Sequence, residues 1–252
     1  MKRKFLFLMV AIGGAVKLQA QSVDSLWKWA NDAYALGRFE QAFDHYKSIH
    51  DLGLESATLF YNTGNSAFQM QQYAPAILWF ERAKRLDPKN ADILYNLDLA
   101  NRFILDKITP LPEFFVQTWL RTVRDTLSAN SWAWVTLLLF ALVGLLLLIF
   151  FFGRSRMGRR WAFYSSCFVL LLSICSFSFG WSQKQQMELH HDAIVLSPVL
   201  SVKSTPDKQG KDLFIIHEGT KVRILELMGA WGRIELADGR QGWIEATLAE
   251  RI

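Results

Sequence analysis

Trp27, Tyr61 and Tyr95 stand at intervals of 34 residues, and amides travel with them. Asn31 and Asn65 lie four positions beyond the first two, while Asn62 and Asn96 directly follow the two tyrosines. An amide side chain offers both donor and acceptor, so such a row can hold the backbone of an extended peptide in either direction. This is the chemistry of recognition. Bond-making chemistry has no comparable footing. His190-His191 is the one histidine pair, with no Cys or Glu at ligand spacing, and neighbours on a helix point apart. His45 and His50 are expected on different sides of one helix, both solvated. Cys167 and Cys175 sit eight residues apart in one apolar run and cannot pair with each other. No nucleotide loop, zinc-protease helix or nucleophile elbow occurs. The expectation is a chain with no catalytic residue, no metal and no cofactor, and therefore not an enzyme.

The interval of 34 runs through more than the aromatic row. Phe60-Tyr61-Asn62 returns as Leu94-Tyr95-Asn96, Ala42 matches Ala76, and Tyr46 matches Phe80. A fixed period of this length marks stacked supersecondary units. In the middle copy, Phe60, Gly64, Ala67 and Phe68 keep helical spacing, and so do Ala76, Ile77, Phe80 and Ala83. A polar break separates the two runs, and Asp87-Pro88 stops the second. Gly64, Tyr73, Ala76, Phe80, Ala83 and Pro88 resemble the tetratricopeptide repeat (TPR) family. Copies fall at 23–56 and 57–90, with a half repeat at 91–104, all within 21–106. The first copy keeps Gly37, Phe39, Ala42 and Tyr46 but carries Ala30 and Leu54 where the family prefers Gly and Pro.

The resemblance implies an all-α solenoid whose first helices line a concave groove. Its family positions are Trp27, Asn31 and Tyr34, then Tyr61, Asn62, Asn65 and Phe68, then Tyr95 and Asn96. The lysines with which a TPR clamp holds a terminal carboxylate are missing at the matching places, so a partner need not be acidic.

Two stretches of the 252 residues do not read as soluble protein. Residues 133–152 carry no charge and, at about 1.5 Å per residue, span a bilayer's hydrocarbon core. Residues 161–181 do the same with more Ser and a Trp at each end, where interfacial anchors sit. Spans are expected at 132–152 and 161–181. The loop between them, 153–160, holds Arg154, Arg156, Arg159 and Arg160 and no acid, which places it in the cytoplasm. Both flanking regions then lie on the other side. Lys2-Arg3-Lys4 followed by an apolar run to Val16 reads as a signal peptide over 1–20. Leu18 departs from the small residues of a cleavage site, so cleavage is left open. The resulting expectation is a multi-pass inner-membrane protein with periplasmic N- and C-terminal domains. Residues 107–131 form an amphipathic linker that either caps the repeats or lies along the bilayer.

The net charge of +5 does not point to nucleic acid. Residues 21–106 hold eight basic and eleven acidic residues, and residues 190–252 hold eight and nine. The positive excess lies in the leader, before the first span and in the Arg loop, so neither outer domain has the basic field that phosphate binding needs.

Beyond the second span the period shortens. Runs at 193–196, 213–216, 221–225, 232–236 and 242–244 read as strands bounded by Pro, Gly or Asp, and Asp238-Gly239 signals a hairpin. Five such strands predict a small all-β barrel. Its signals resemble the bacterial SH3 (SH3b) family over 192–252, in Val202 to Pro206, Glu218 to Val222, Trp231 to Ile234 and Asp238 to Ile244. Trp243 is expected in the core and Trp231 on a binding surface.

The whole arrangement of leader, short TPR array, two-helix transmembrane hairpin with a basic loop, and SH3-like barrel resembles the BatE family of the Bacteroides-aerotolerance (Bat) operon proteins. That resemblance implies protein partners: sister Bat membrane proteins with von Willebrand A domains, and a MoxR-type ATPase complex. The function expected is a non-enzymatic scaffold. The alternative is an envelope anchor whose SH3b domain binds peptidoglycan.

Overall fold

The computed structural model describes residues 23–111, 114–188 and 191–252, so the expected signal peptide lies outside the described residues. The chain forms two compact units. One joins residues up to Leu111 with residues from His191 onward, and the other spans Pro112–His190.

The first unit opens with helices α1 (23–35), α2 (Phe39–Asp51), α3 (Ala57–Gln69), α4 (Tyr73–Leu86) and α5 (Ala91–Asn101). Side-chain caps start two of them. Ser56 Oγ accepts the Leu59 amide at 3.0 Å, and Asn90 Oδ1 accepts the amides of Asp92 and Ile93. The α1–α2 turn uses Gly37 at φ +73°, and 34 residues on the α3–α4 turn uses Gln71 at φ +62°. The repeat therefore preserves a left-handed corner even where glycine is lost. Close helix contact explains the small residues. A Cβ on Gly64 would lie 2.6 Å from Phe80 Cδ1, and Ala42, Ala67, Ala76 and Ala83 are wholly buried.

After the second unit, the chain returns with seven antiparallel strands: β1 (Asp192–Val195), β2 (Val199–Lys203), β3 (Asp212–His217), β4 (Lys221–Met228), β5 (Trp231–Glu235), β6 (Gln241–Glu245) and β7 (Ala249–Arg251). They form one sheet in the order β3-β2-β6-β5-β4-β1-β7. The sheet is open, with β3 and β7 at its edges, and this corrects the expected closed five-stranded barrel. The two strands missed from sequence are short. β7 reads Ala-Glu-Arg, without an alternating apolar pattern, and extends the sheet beyond β1. The β5–β6 hairpin turns at Asp238-Gly239 as expected, with Gly239 at φ +85°.

Trp243 also departs from expectation. On β6 it is Gly242 and Ile244 that face inward, against Val202 and the β5 residues Gly232 and Ile234, so the alternation of the strand turns Trp243 to the outer face.

The repeats and the sheet share a core. Ala67, Ala76, Ile77, Leu78, Phe80, Leu97 and Ala100 from the helices cluster with Ile194 of β1 and Ile252, which follows β7. Polar contacts surround this seam. Arg82 donates to Glu250 Oε1 (2.9 Å) and to the Arg251 carbonyl (2.7 Å), and Arg85 donates to the Ile252 carbonyl (2.5 Å). Lys221 Nζ donates to Glu81 Oε2 at 3.0 Å and lies 3.2 Å from Asp192 Oδ2. Burial alone would lower the Lys221 ammonium, but Glu81 and Asp192 outweigh it and raise its pKa. At Gly219, φ +84°, a Cβ would collide with Ile104 Cγ2.

The second unit contains α6 (Phe115–Arg124), α7 (Ala129–Phe152) and α8 (Arg156–Glu188). The last two are long and apolar enough to cross a membrane. They pack as an antiparallel hairpin, with Trp132 against Phe179 at one end and Phe150 against Phe163 at the other. Three of the five serines of the second run are buried in the hairpin, while Ser165 and Ser178 are exposed. Ser166, Ser173 and Ser176 are buried, Ser176 Oγ is 3.0 Å from Thr136 Oγ1, and Ser176 also donates to the Trp132 carbonyl. A polar side chain facing a neighbouring helix costs little where a carbonyl or hydroxyl receives it. The connection between α7 and α8 is Gly153–Ser155, so Arg156, Arg159 and Arg160 belong to α8 rather than to a loop. Arg159 donates to the Phe150 carbonyl at 2.9 Å across that turn.

Candidate functional site

The expected groove residues come from α1, α3 and α5, and hydrogen bonds draw most of them into two clusters. Tyr46, on α2, donates its hydroxyl to Asn31 Oδ1 at 2.6 Å, and Asn62 hydrogen-bonds the same phenol. Burial pushes the Tyr46 phenol up to about 12, with the Asn62 hydrogen bond opposing the rise. Trp27 packs edge-on to Tyr46 with ring centroids 5.6 Å apart. In the second cluster, Asn96 Nδ2 donates to the Tyr61 hydroxyl (3.0 Å) and to Asn65 Oδ1 (2.8 Å), tying α5 to α3. Tyr34 receives a hydrogen bond from Gln69 and packs edge-on to Phe39, and burial raises its phenol as well.

Phe68 is brought elsewhere, against Tyr73 and Phe103, which stack on each other at 4.4 Å. Tyr95 is 66% exposed, the most open aromatic of the set. The aromatic row is therefore not uniform. Trp27 and Tyr61 are held by neighbouring helices, and Tyr95 stands in solvent.

Sequence reasoning missed Tyr46 and Gln69 as members of the site. The signal was present, since a tyrosine at the core position where the next copy has Phe80 must find a partner for its hydroxyl. His50 is also corrected. It lies between the rings of Phe60 and Trp79, at 5.3 and 5.2 Å, and its Nδ1 is buried without a hydrogen-bond partner among the described residues. The last turn of α2 faces these rings, so His50 is half-buried there and not an open surface residue.

A second polar centre joins helices to strands. Asp106, just beyond α5, accepts from the His217 amide (2.6 Å), from the Thr220 hydroxyl (2.7 Å) and from His217 Nδ1 (3.0 Å). Burial alone would raise its carboxyl, but these hydrogen bonds prevail and hold it below the ordinary carboxylate value. A carboxylate that takes three donors from the end of β3 and the turn after it fastens these segments to the end of the helical region.

On the sheet, Trp231 is half-buried and opposite Glu245, while Trp243 is opposite Arg233. Paired residues point to the same side, so both tryptophans share the outer face of β5 and β6.

Residues 57–90, which make up α3 and α4, match the tetratricopeptide repeat family. No curated protein matches the chain at a significant level. The fold is thus a helical TPR-like region joined to a β-sheet module, with two helices long enough to cross a membrane. Repeats of this kind bind other proteins.

Proposed function

We propose that the chain is a non-enzymatic, membrane-anchored scaffold that holds an exported or membrane protein partner on the face formed by α1, α3 and α5. The observation that carries this reading is the Tyr61–Asn96–Asn65 cluster beside the exposed Tyr95. It presents amides with remaining hydrogen-bonding capacity next to an aromatic anchor, as recognition of an extended peptide requires. The Bat-type resemblance would make the partners von Willebrand A-domain membrane proteins and a MoxR-type ATPase complex. The test is co-purification of the intact protein from native membranes in mild detergent, beside Tyr95→Ala. The unchanged protein retains its partner and the variant loses it several-fold. Equal recovery by both removes this face as the binding site.

Membrane anchoring with both flanking regions on one side has support independent of the arginines. The residues before and after the hairpin build one compact unit, which an odd number of crossings would divide. A cytoplasm-dependent reporter is expected to work near Met157 and to fail at Ile252, and activity at Ile252 would overturn this topology.

A second reading is favoured by Trp231 and Trp243 on one outer face beside Arg233. Aromatic rings there can stack on sugars, so the module would anchor the protein on peptidoglycan. Sedimentation of the intact, detergent-solubilised protein with purified sacculi, lost in Trp231→Ala, would support it. No sedimentation leaves the scaffold reading alone.

A further inference from the structure

We infer that α6 lies in the plane of the membrane interface, with its apolar face in the lipid, as a third membrane contact beside α7 and α8. The inference rests on the membrane-anchored reading above. Phe115, Val116, Trp119, Leu120 and Val123 fall within an arc of about 140° at 100° per residue. Gln117, Thr118, Arg121, Thr122 and Arg124 occupy the other side. None of the ten residues is buried, and Phe115 and Trp119 are 82% and 63% exposed. An apolar arc this wide, carrying two large aromatics, demands a cover.

The chain itself says what covers it. Only Asp125–Ser128 separate α6 from α7, and Trp132 Nε1 donates to the Arg124 carbonyl at 2.8 Å, pinning the end of α6 to the first turn of the span. Trp134, in the second turn of α7, and Trp181, at the same end of the antiparallel hairpin, are 68% and 63% exposed. Tryptophans gather at the level of lipid headgroups. A helix tied to that level, apolar on one side and basic on the other, matches the composition of helices that sit about 5–10 Å into the headgroup boundary. The partner is therefore a lipid surface, with acyl chains under Phe115 and Trp119.

The test uses the full chain in lipid vesicles, with Cys167→Ala and Cys175→Ala and single spin labels at Trp119→Cys, Val123→Cys, Thr118→Cys, Thr122→Cys and Leu142→Cys. Accessibility to oxygen and to a water-soluble nickel chelate is compared. Labels at 119 and 123 are expected to prefer oxygen several-fold more than those at 118 and 122, and less than the label at 142. Phe115→Cys replaces Trp119→Cys if that variant fails to reconstitute. A label at 119 as open to nickel as that at 118 overturns the inference, as does a label at 119 shielded from both reagents. In each case a lipid-exposed Leu142 label shows that the spans themselves still stand. A water-exposed Leu142 label removes the membrane reading and this inference with it.

Discussion

Replacing Asp106 with Ala tests whether the helices and the sheet form one cooperative structure. The substitution strips the acceptor from the His217 amide, His217 Nδ1 and the Thr220 hydroxyl together. Bonds to a charged acceptor are each worth about 1.5–3 kcal/mol when fully buried. The side chains of Asp106 and His217 are 18% and 30% exposed, so water replaces part of what is lost. A total loss of about 2–4 kcal/mol follows. For a unit of this size that lowers the melting temperature by roughly 4–16 °C. Because the carboxylate spans the seam, hydrogen exchange should rise in residues 213–217 of β3 and in the segment after α5 at the same time. Acid provides an independent check. Folding lowers the Asp106 pKa, so its contribution is complete above the ordinary value of 3.8 and fades as pH falls through the folded value beneath it. The unchanged protein and Asp106→Asn should differ at neutral pH and converge in stability as pH falls through the folded value of the Asp106 carboxyl. Melting of Asp106→Ala within about 1 °C of the unchanged protein, with exchange in 213–217 unaltered, would refute the reasoning.

Other perturbations separate packing from recognition. Gly219→Ala places a Cβ against Ile104 at a positive φ, and thermal melting should show a loss of about 1–3 kcal/mol or more. Gly64→Ala drives a methyl into the Phe80 ring and should cost about 1–3 kcal/mol by the same measurement, unless that ring can turn aside. Asn96→Ala removes two hydrogen bonds between α5 and α3, about 1–3 kcal/mol together, and should raise exchange in 91–101 before any global melting.

The helical region was legible because its signals are local and repeated. An interval of 34 residues, small residues at helix contacts and an Asp-Pro stop each restate the same unit. The two long apolar helices were legible for a similar reason, since an uninterrupted apolar run needs no tertiary context to be seen. The strand edges were not, because β7 is three residues long and takes its conformation from pairing with β1. Trp243 was misplaced because a single aromatic on a five-residue strand does not reveal which alternate face is inward until the partner strands are known. The amide clusters were half legible. Spacing brought Asn31, Tyr61, Asn65 and Asn96 forward, but Tyr46, the partner of Asn31, is fixed by helix crossing. Asp106 was invisible because its three donors lie more than a hundred residues away in the chain.

The shared core of helices and strands bears on the order of events during synthesis. Ile77, Leu97 and Ala100 leave the ribosome well before Ile194 and Ile252, which complete their packing. At about 5–20 residues per second the wait is roughly 8–30 s, far longer than a helix takes to form. For that interval the nascent repeats carry an uncovered apolar seam. The intervening hairpin shortens the subsequent search. Once α7 and α8 pair, the ends of a long inserted segment are drawn together, and the closure entropy is that of a much shorter loop. Pairing of α7 with α8 is then a folding step for the unit on either side of it, and a variant that delays hairpin pairing should aggregate through its repeats.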